Sequence, residues 1–143
     1  MARAASLSDN QPCVCARLRR ASRALTRAYD EALAPAGVTV TQFSVLRTVA
    51  ALNTPTLAEL AEATAHEKSG LWRIVQPLIR SGALTSGKVE GLGGQRLTLT
   101  EEGRALLARA TPAWTRAQAG VSNILGTRRN QLIALLREVE RLV

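Results

Sequence analysis

The chain has 143 residues, enough for one domain that buries roughly two-thirds of its unfolded surface without a metal or disulfide staple. Its 19 Lys and Arg against 11 Asp and Glu give a formal charge of +8, and 17 of those 19 cations are arginine, the residue suited to bidentate phosphate and base contacts. This balance suits nucleic acid or an acidic surface; because no apolar run approaches the roughly 20 residues of a membrane span and the start MARAASLSDNQP lacks a signal-peptide core, a membrane is not expected and the cytoplasm is.

A tail to residue 12 precedes the first periodic segment. Residues 13–34 place Val14, Leu18, Ala21, Leu25, Tyr29 and Ala32 on one helical stripe, which Pro35-Ala36-Gly37 stops. This helix carries Arg17, Arg19, Arg20, Arg23 and Arg27 with no acid among them. Thr39 stands three residues before Gln42, the spacing of a capping box, and opens a helix with Phe43, Leu46, Val49 and Ala50 inward. After Asn53-Thr54-Pro55 the same spacing recurs in Thr56 and Glu59, at the head of a short helix that buries Leu57, Leu60 and Ala61.

Residues 66–82, HEKSGLWRIVQPLIRSG, place Leu71, Ile74, Val75, Leu78 and Ile79 at i, i+3, i+4, i+7 and i+8, one face of a helix. Ser69, Trp72, Arg73, Gln76 and Arg80 fall on the other side, without a carboxylate, and only Glu67 and Lys68 precede them in the first turn. Such a face suits an anionic or hydrogen-bonding partner better than plain solvent. Pro77 removes one donor and crowds the preceding turn, a cost of about 3 kcal/mol that is expected to bend the helix.

Beyond Gly82 the period changes. Residues 83–89 and 95–100 are short β-tolerant runs around Gly91-Leu92-Gly93-Gly94, with Leu97 and Leu99 alternating with Thr98 and Thr100, the pattern of a hairpin with a glycine tip. The glycine run lacks the Lys-Ser/Thr pair and the strand-to-helix context of a phosphate cradle, so it is only a turn. Thr100 can cap a long helix with Glu101 and Glu102 set favourably against its dipole, and Leu106, Ala110, Trp114, Ala117, Val121 and Ile124 continue the stripe past Pro112 to Gly126. Leu132, Leu135, Leu136, Val139 and Leu142 line a last helix.

Three short helices followed by a two-stranded hairpin, over residues 41–100, describe a winged helix-turn-helix. The expected fold is mainly α: a winged helix-turn-helix with a two-stranded β wing over 37–100, flanked by a dimerisation helix at 13–36 and dimerisation helices at 101–143. The outer helices hold more apolar surface than one small winged region can cover, and Leu25, Trp114, Leu135, Leu136 and Val139 are the expected anchors. On double-stranded DNA, Ser69, Trp72, Arg73 and Gln76 would lie toward bases with Lys68 beside them, and Arg80, Lys88 and Arg96 nearer phosphates. Trp72, at the edge of the polar face near Ile79, can either pack half-buried or stack on a base or sugar.

The segments TVTQFSVLRTVA, TLAELAEAT, SGLWRIVQPLIRSGAL and LTLTEEGRALLARATPAW, in this order and spacing, resemble the MarR family of bacterial transcriptional regulators, over nearly the whole chain from Cys13 to Val143. The resemblance implies a homodimer whose first and last two helices interlock and whose winged domains meet successive major grooves of a pseudo-palindromic operator. It further implies, as in many relatives, release from DNA when a small aromatic acid binds between the two regions or when cysteines are oxidised. With the cationic first helix, this makes Arg20 or Arg23 the expected partner of the anionic group of an aromatic or carboxylate ligand. Two departures stand out. Glu67-Lys68-Ser69-Gly70-Leu71-Trp72-Arg73 occupies the place of the family's Asp-Arg-Ser-Thr-Leu-Thr-Arg, so base preference should differ. At the wing tip Gly91-Leu92-Gly93 replaces Asp-Arg-Arg and leaves Lys88 and Arg96 as the wing's cations.

Cys13 and Cys15 form a Cys-x-Cys pair where the first helix begins. Residues two apart on a helix point away from one another, so a direct disulfide would require unwinding. Arg17 and Arg19 nearby favour a thiolate, which admits a redox-sensing regulator beside the plainer reading of two inert thiols. Two thiols make a poor metal site and His66 is remote in sequence, so neither metal nor cofactor is expected. No orienting group or oxyanion site accompanies a Cys–His pair, and the chain is not expected to be an enzyme. The rival to a DNA-binding repressor is a helical dimer that binds protein on a winged scaffold, which the altered wing tip would allow.

Overall fold

The computed structural model describes residues 12–143; the first 11 residues of the expected tail lie outside the described part. The chain forms α1 (Val14–Leu33), α2 (Val40–Leu52), α3 (Leu57–Thr64), α4 (Lys68–Arg80), β1 (Leu84–Gly87), β2 (Arg96–Leu99), α5 (Glu101–Leu125) and α6 (Arg129–Glu140). This is the mainly helical winged fold expected from the periodicities. A 3₁₀ turn at Ala34–Ala36 ends α1, and Gly37 supplies the left-handed residue, φ +80°, that the reversal into α2 requires. Asp30 fixes the junction by accepting the Val40 N–H at 2.7 Å.

Both capping boxes close. The Gln42 N–H donates to Thr39 Oγ1 at 3.1 Å and the Thr39 N–H to Gln42 Oε1 at 3.0 Å; Glu59 and Thr56 exchange the same pair at 3.1 and 2.9 Å. These caps aim the short helices so that Val45, Leu46, Val49, Leu60, Leu71, Val75 and Leu78 meet Leu84, Leu97 and Leu99 of the hairpin in one buried cluster. A second cluster, Leu33, Val38, Phe43, Ala110 and Ala113, joins the ends of α1 and α2 to α5, and Leu106 and Leu107 pack against both. Ala50, expected inward, is exposed, whereas Val45 is fully buried. The α2 stripe does continue past Val49, but there it opens on a cleft between α2, β2 and α5 that no side chain fills.

The strands are shorter than the sequence runs. Leu84 pairs with Leu99 and Gly87 with Arg96 in an antiparallel ladder, and Thr100 leaves it to cap α5: its Oγ1 accepts the Gly103 N–H at 3.0 Å. The loop before α3 adds a fragment of a third strand, since the Leu97 N–H donates to Pro55 O at 2.8 Å. Gly103 allows the start of α5 to press on the base of the hairpin. A Cβ there would sit 2.1 Å from the Ala83 carbonyl oxygen and 2.7 Å from Leu99 Cδ1.

Pro112 lies inside α5 without ending it, and Pro77 is likewise accommodated in α4. Tyr29 donates its hydroxyl to Gln118 and so ties α1 to α5; burial pushes this phenol above its ordinary pKa, with Arg129 pulling the other way. Distal α5 and α6 are otherwise little covered. No residue of α6 is buried, and Ile124, Leu135 and Leu142 are 79, 59 and 85% exposed. Trp114 differs from these. Its ring stacks on Phe43 at 5.6 Å between centroids, with the Arg47 guanidinium 4.5 Å from its centre, so its own chain already holds it while part of it stays open.

Candidate nucleic-acid interface

The helix that faces outward from the winged core is α4. Leu71, Val75 and Leu78 are buried, Ile74 and Ile79 are packed at the margins, and the opposite side is open. On that open side stand Lys68, Ser69, Trp72, Arg73, Gln76 and Arg80, all exposed. Their side chains form no hydrogen bond or ion pair with the described residues, so their donors are free for a partner. Trp72, at 38% exposure, is partly covered and partly open to solvent.

The helix is well seated for this. Its backbone begins at Glu67, whose carbonyl accepts the Leu71 N–H at 2.9 Å, and α2 and α3 pack behind it. Only Ser81-Gly82-Ala83 separates α4 from β1, and Gly82, at φ +84°, makes the tight exit possible. The hairpin therefore stands beside the exposed face, with Lys88 exposed on it.

Arg96 is placed otherwise than expected. Its side chain is 16% exposed, and the guanidinium turns into the protein. The Nε–H donates to Gly93 O at 2.8 Å, and Nη1 reaches Thr54 O and Glu59 Oε2, both at 3.3 Å. In the free chain it forms a strut between the wing and the turn before α3, which leaves less of the guanidinium to meet a phosphate. Sequence spacing could not reveal it, because Glu59 lies 37 residues away.

Arg20 and Arg23 are exposed on α1, but the shallow grooves they line contain only α1 residues, and the structure does not bring them to the winged region. The clefts that do lie between the two regions were not legible from the sequence. One, of about 470 Å³, is lined by Val49, Asn53, Thr98, Arg104, Leu107 and Thr111; the other, of about 500 Å³, includes Gln42, Ser81, Glu102 and Arg109. Cys13 and Cys15 are free and exposed. Cys13 is the N-cap of α1, with ψ at 117°, so the pair straddles the helix boundary rather than sharing the helix, and the geometric objection to their joining is weaker than the sequence implied.

Among the described residues no helix is long and apolar enough to cross a membrane. No family model matches the chain, and no curated protein does. Solved structures do. The transcriptional regulator MosR of M. tuberculosis is 36% identical, with 92% of this chain and 97% of that chain covered and a TM-score of 0.79. MosR in complex with DNA is 35% identical over 92% of this chain and 99% of that one, with a TM-score of 0.74. The transcriptional repressor CouR bound to p-coumaroyl-CoA is 26% identical over 90% and 92%, with a TM-score of 0.81. These neighbours are regulators and not enzymes, in agreement with the reading of the sequence.

Proposed function

The chain belongs to the MarR family of winged helix-turn-helix transcriptional regulators, and on that premise we propose that it is a cytoplasmic repressor acting as a homodimer on a pseudo-palindromic operator. The observation that carries this is the exposed face of α4. Arg73 and Gln76 are the side chains that can read guanine and adenine by bidentate bonds, and Lys68 and Arg80 flank them for phosphates. A homodimer is supported by the uncovered apolar side chains of α1, distal α5 and α6, including Leu25, Ile124, Leu135 and Val139, which a second copy would remove from water. Binding to random DNA, followed as salt is raised, tests the reading against a protein-binding scaffold. Log affinity should fall linearly with log salt at about −0.9 per phosphate neutralised, and two chains should sediment with each operator duplex. No retention on DNA at low salt, or a monomer at micromolar concentration, would overturn it.

Control by a small aromatic or carboxylate ligand belongs to the same proposal. CouR is bound to p-coumaroyl-CoA, and this chain has two clefts between its regions, one with Arg104 at its wall. The anion is proposed to pair with Arg104, or with Arg20 or Arg23 if a second protomer closes over α1. Screening aromatic acids at millimolar concentration should raise the melting temperature of the wild type. Arg104→Ala or the pair Arg20→Ala and Arg23→Ala should abolish that rise, according to which seat is used; no shift with any acid counts against ligand control.

A further inference from the structure

We infer that the wing meets the minor groove with an apolar blade, Leu92, instead of a cation. The inference rests on the DNA-binding reading above and adds to it a specificity-determining residue. With α4 in a major groove, the three-residue link to β1 leaves the hairpin no choice but the groove alongside, the minor groove, about 6 Å wide. The tip is slim enough to enter. Gly91 and Gly94 have φ of +79° and +74°, the Leu92 N–H closes the turn on Val89 O at 3.1 Å, and a Cβ at Gly91 or Gly93 would meet nothing within 4 Å. Leu92 therefore stands with bare backbone on either side, 44% exposed.

The charge pattern leaves the groove contact to this leucine. Lys88 and Glu90 offset one another in charge on the approach, and the Nε and Nη1 of Arg96 are engaged by Gly93, Thr54 and Glu59. A tip without net charge gains nothing from the deepened negative potential of a narrow A-tract groove. Apolar surface held in water, by contrast, is stabilised by any contact that covers it, and leucine is among the side chains that wedge against base steps from the minor groove. Arg96 acts here as a positioning residue. By holding the Gly93 carbonyl and the α3 cap together, it sets how far Leu92 stands from α4. The preferred sequence under the wing is then a deformable pyrimidine–purine step rather than an A-tract.

The experiment uses the full chain and an operator selected from random DNA, with Arg73→Ala in the same titrations. Leu92→Ala should weaken operator binding about tenfold per wing, hence up to about a hundredfold for a dimer that seats both, while leaving the salt slope unchanged. Selection repeated with that variant should lose the base preference at the wing position. Leu92→Arg should instead steepen the salt slope by about one unit per wing and shift selection toward A-tracts. Both substitutions are at an exposed turn, so unchanged melting curves confirm that folding is not what is being read. If Arg73→Ala weakens operator binding but Leu92→Ala matches the wild type in affinity and base preference, the blade is refuted and the DNA-binding reading stands. If the wild type binds no DNA, both fall.

Discussion

Gly103→Ala is expected to lose about 3 kcal/mol or more of folding stability, a large share of the roughly 5–15 kcal/mol that holds a domain together. Two effects oppose one another. Alanine is favoured over glycine inside a helix by about 1 kcal/mol. Against this, the new methyl would lie 2.1 Å from the Ala83 carbonyl oxygen, which is backbone and cannot rotate away. That oxygen also accepts the Thr100 N–H at 3.1 Å, and the Thr100 hydroxyl lies between it, at 3.0 Å, and the nearer Gly82 O, at 2.5 Å, so retreat would disturb the residue that caps α5. Leu99, 2.7 Å from the same point, is part of the winged core and has no free direction either. The control is Gly70→Ala in α4, where a Cβ meets nothing within 4 Å; it should be neutral or raise stability by up to about 1 kcal/mol. Urea unfolding of both variants decides, and equal stability of Gly103→Ala and the wild type would show that α5 does not sit on the hairpin as described.

The second large effect concerns recognition. Arg73→Ala or Gln76→Ala should each cost about 1–3 kcal/mol per bidentate base contact, hence about 2–6 kcal/mol for a dimer presenting two copies, from tens of fold to about ten-thousandfold in affinity. The loss should be confined to the operator. On random DNA Gln76→Ala should change little, because an amide releases no counterion, and Arg73→Ala should do no more than flatten the salt dependence. Leu78→Ala, directly beneath this face and 3% exposed, should by contrast destabilise the fold by about 2–5 kcal/mol through the cavity it leaves, with specificity retained in whatever protein remains folded. Should both polar substitutions leave operator affinity intact in a folded dimer, α4 is not the reader, and a protein-binding role becomes the better account of its arginines.

What the sequence disclosed was local. Thr39 with Gln42 and Thr56 with Glu59 are three residues apart, so their hydrogen bonds follow from spacing alone, and the alternation of Leu97 and Leu99 follows from the pleat. The exposed set on α4 likewise follows from the 3.6-residue period once the buried side is known. What remained hidden depends on which distant segments meet. Arg96 reads as a free wing cation until Glu59 and Thr54 are brought beside it. Trp114 reads as one more member of an outer stripe until Phe43 and Arg47 are brought against its ring. Ala50 fits the inward pattern, yet the space in front of it is empty, and no periodicity can report an unfilled cleft. Gly103 is visible in the motif, but only the packing of α5 on Ala83 says why a methyl group is forbidden.

The two tryptophans of the chain, the only ones it has, divide the molecule optically. Trp72 stands on the outward face of α4, half in water, where a duplex would change its surroundings directly. Trp114 lies where α2 of the winged region meets α5, stacked on Phe43 and beneath a guanidinium, so its emission responds to any shift of one region against the other. With Trp72 replaced by phenylalanine, fluorescence from the native chain becomes a single-site gauge of that joint, without an added dye; with Trp114 replaced instead, the remaining light comes from the helix that faces DNA.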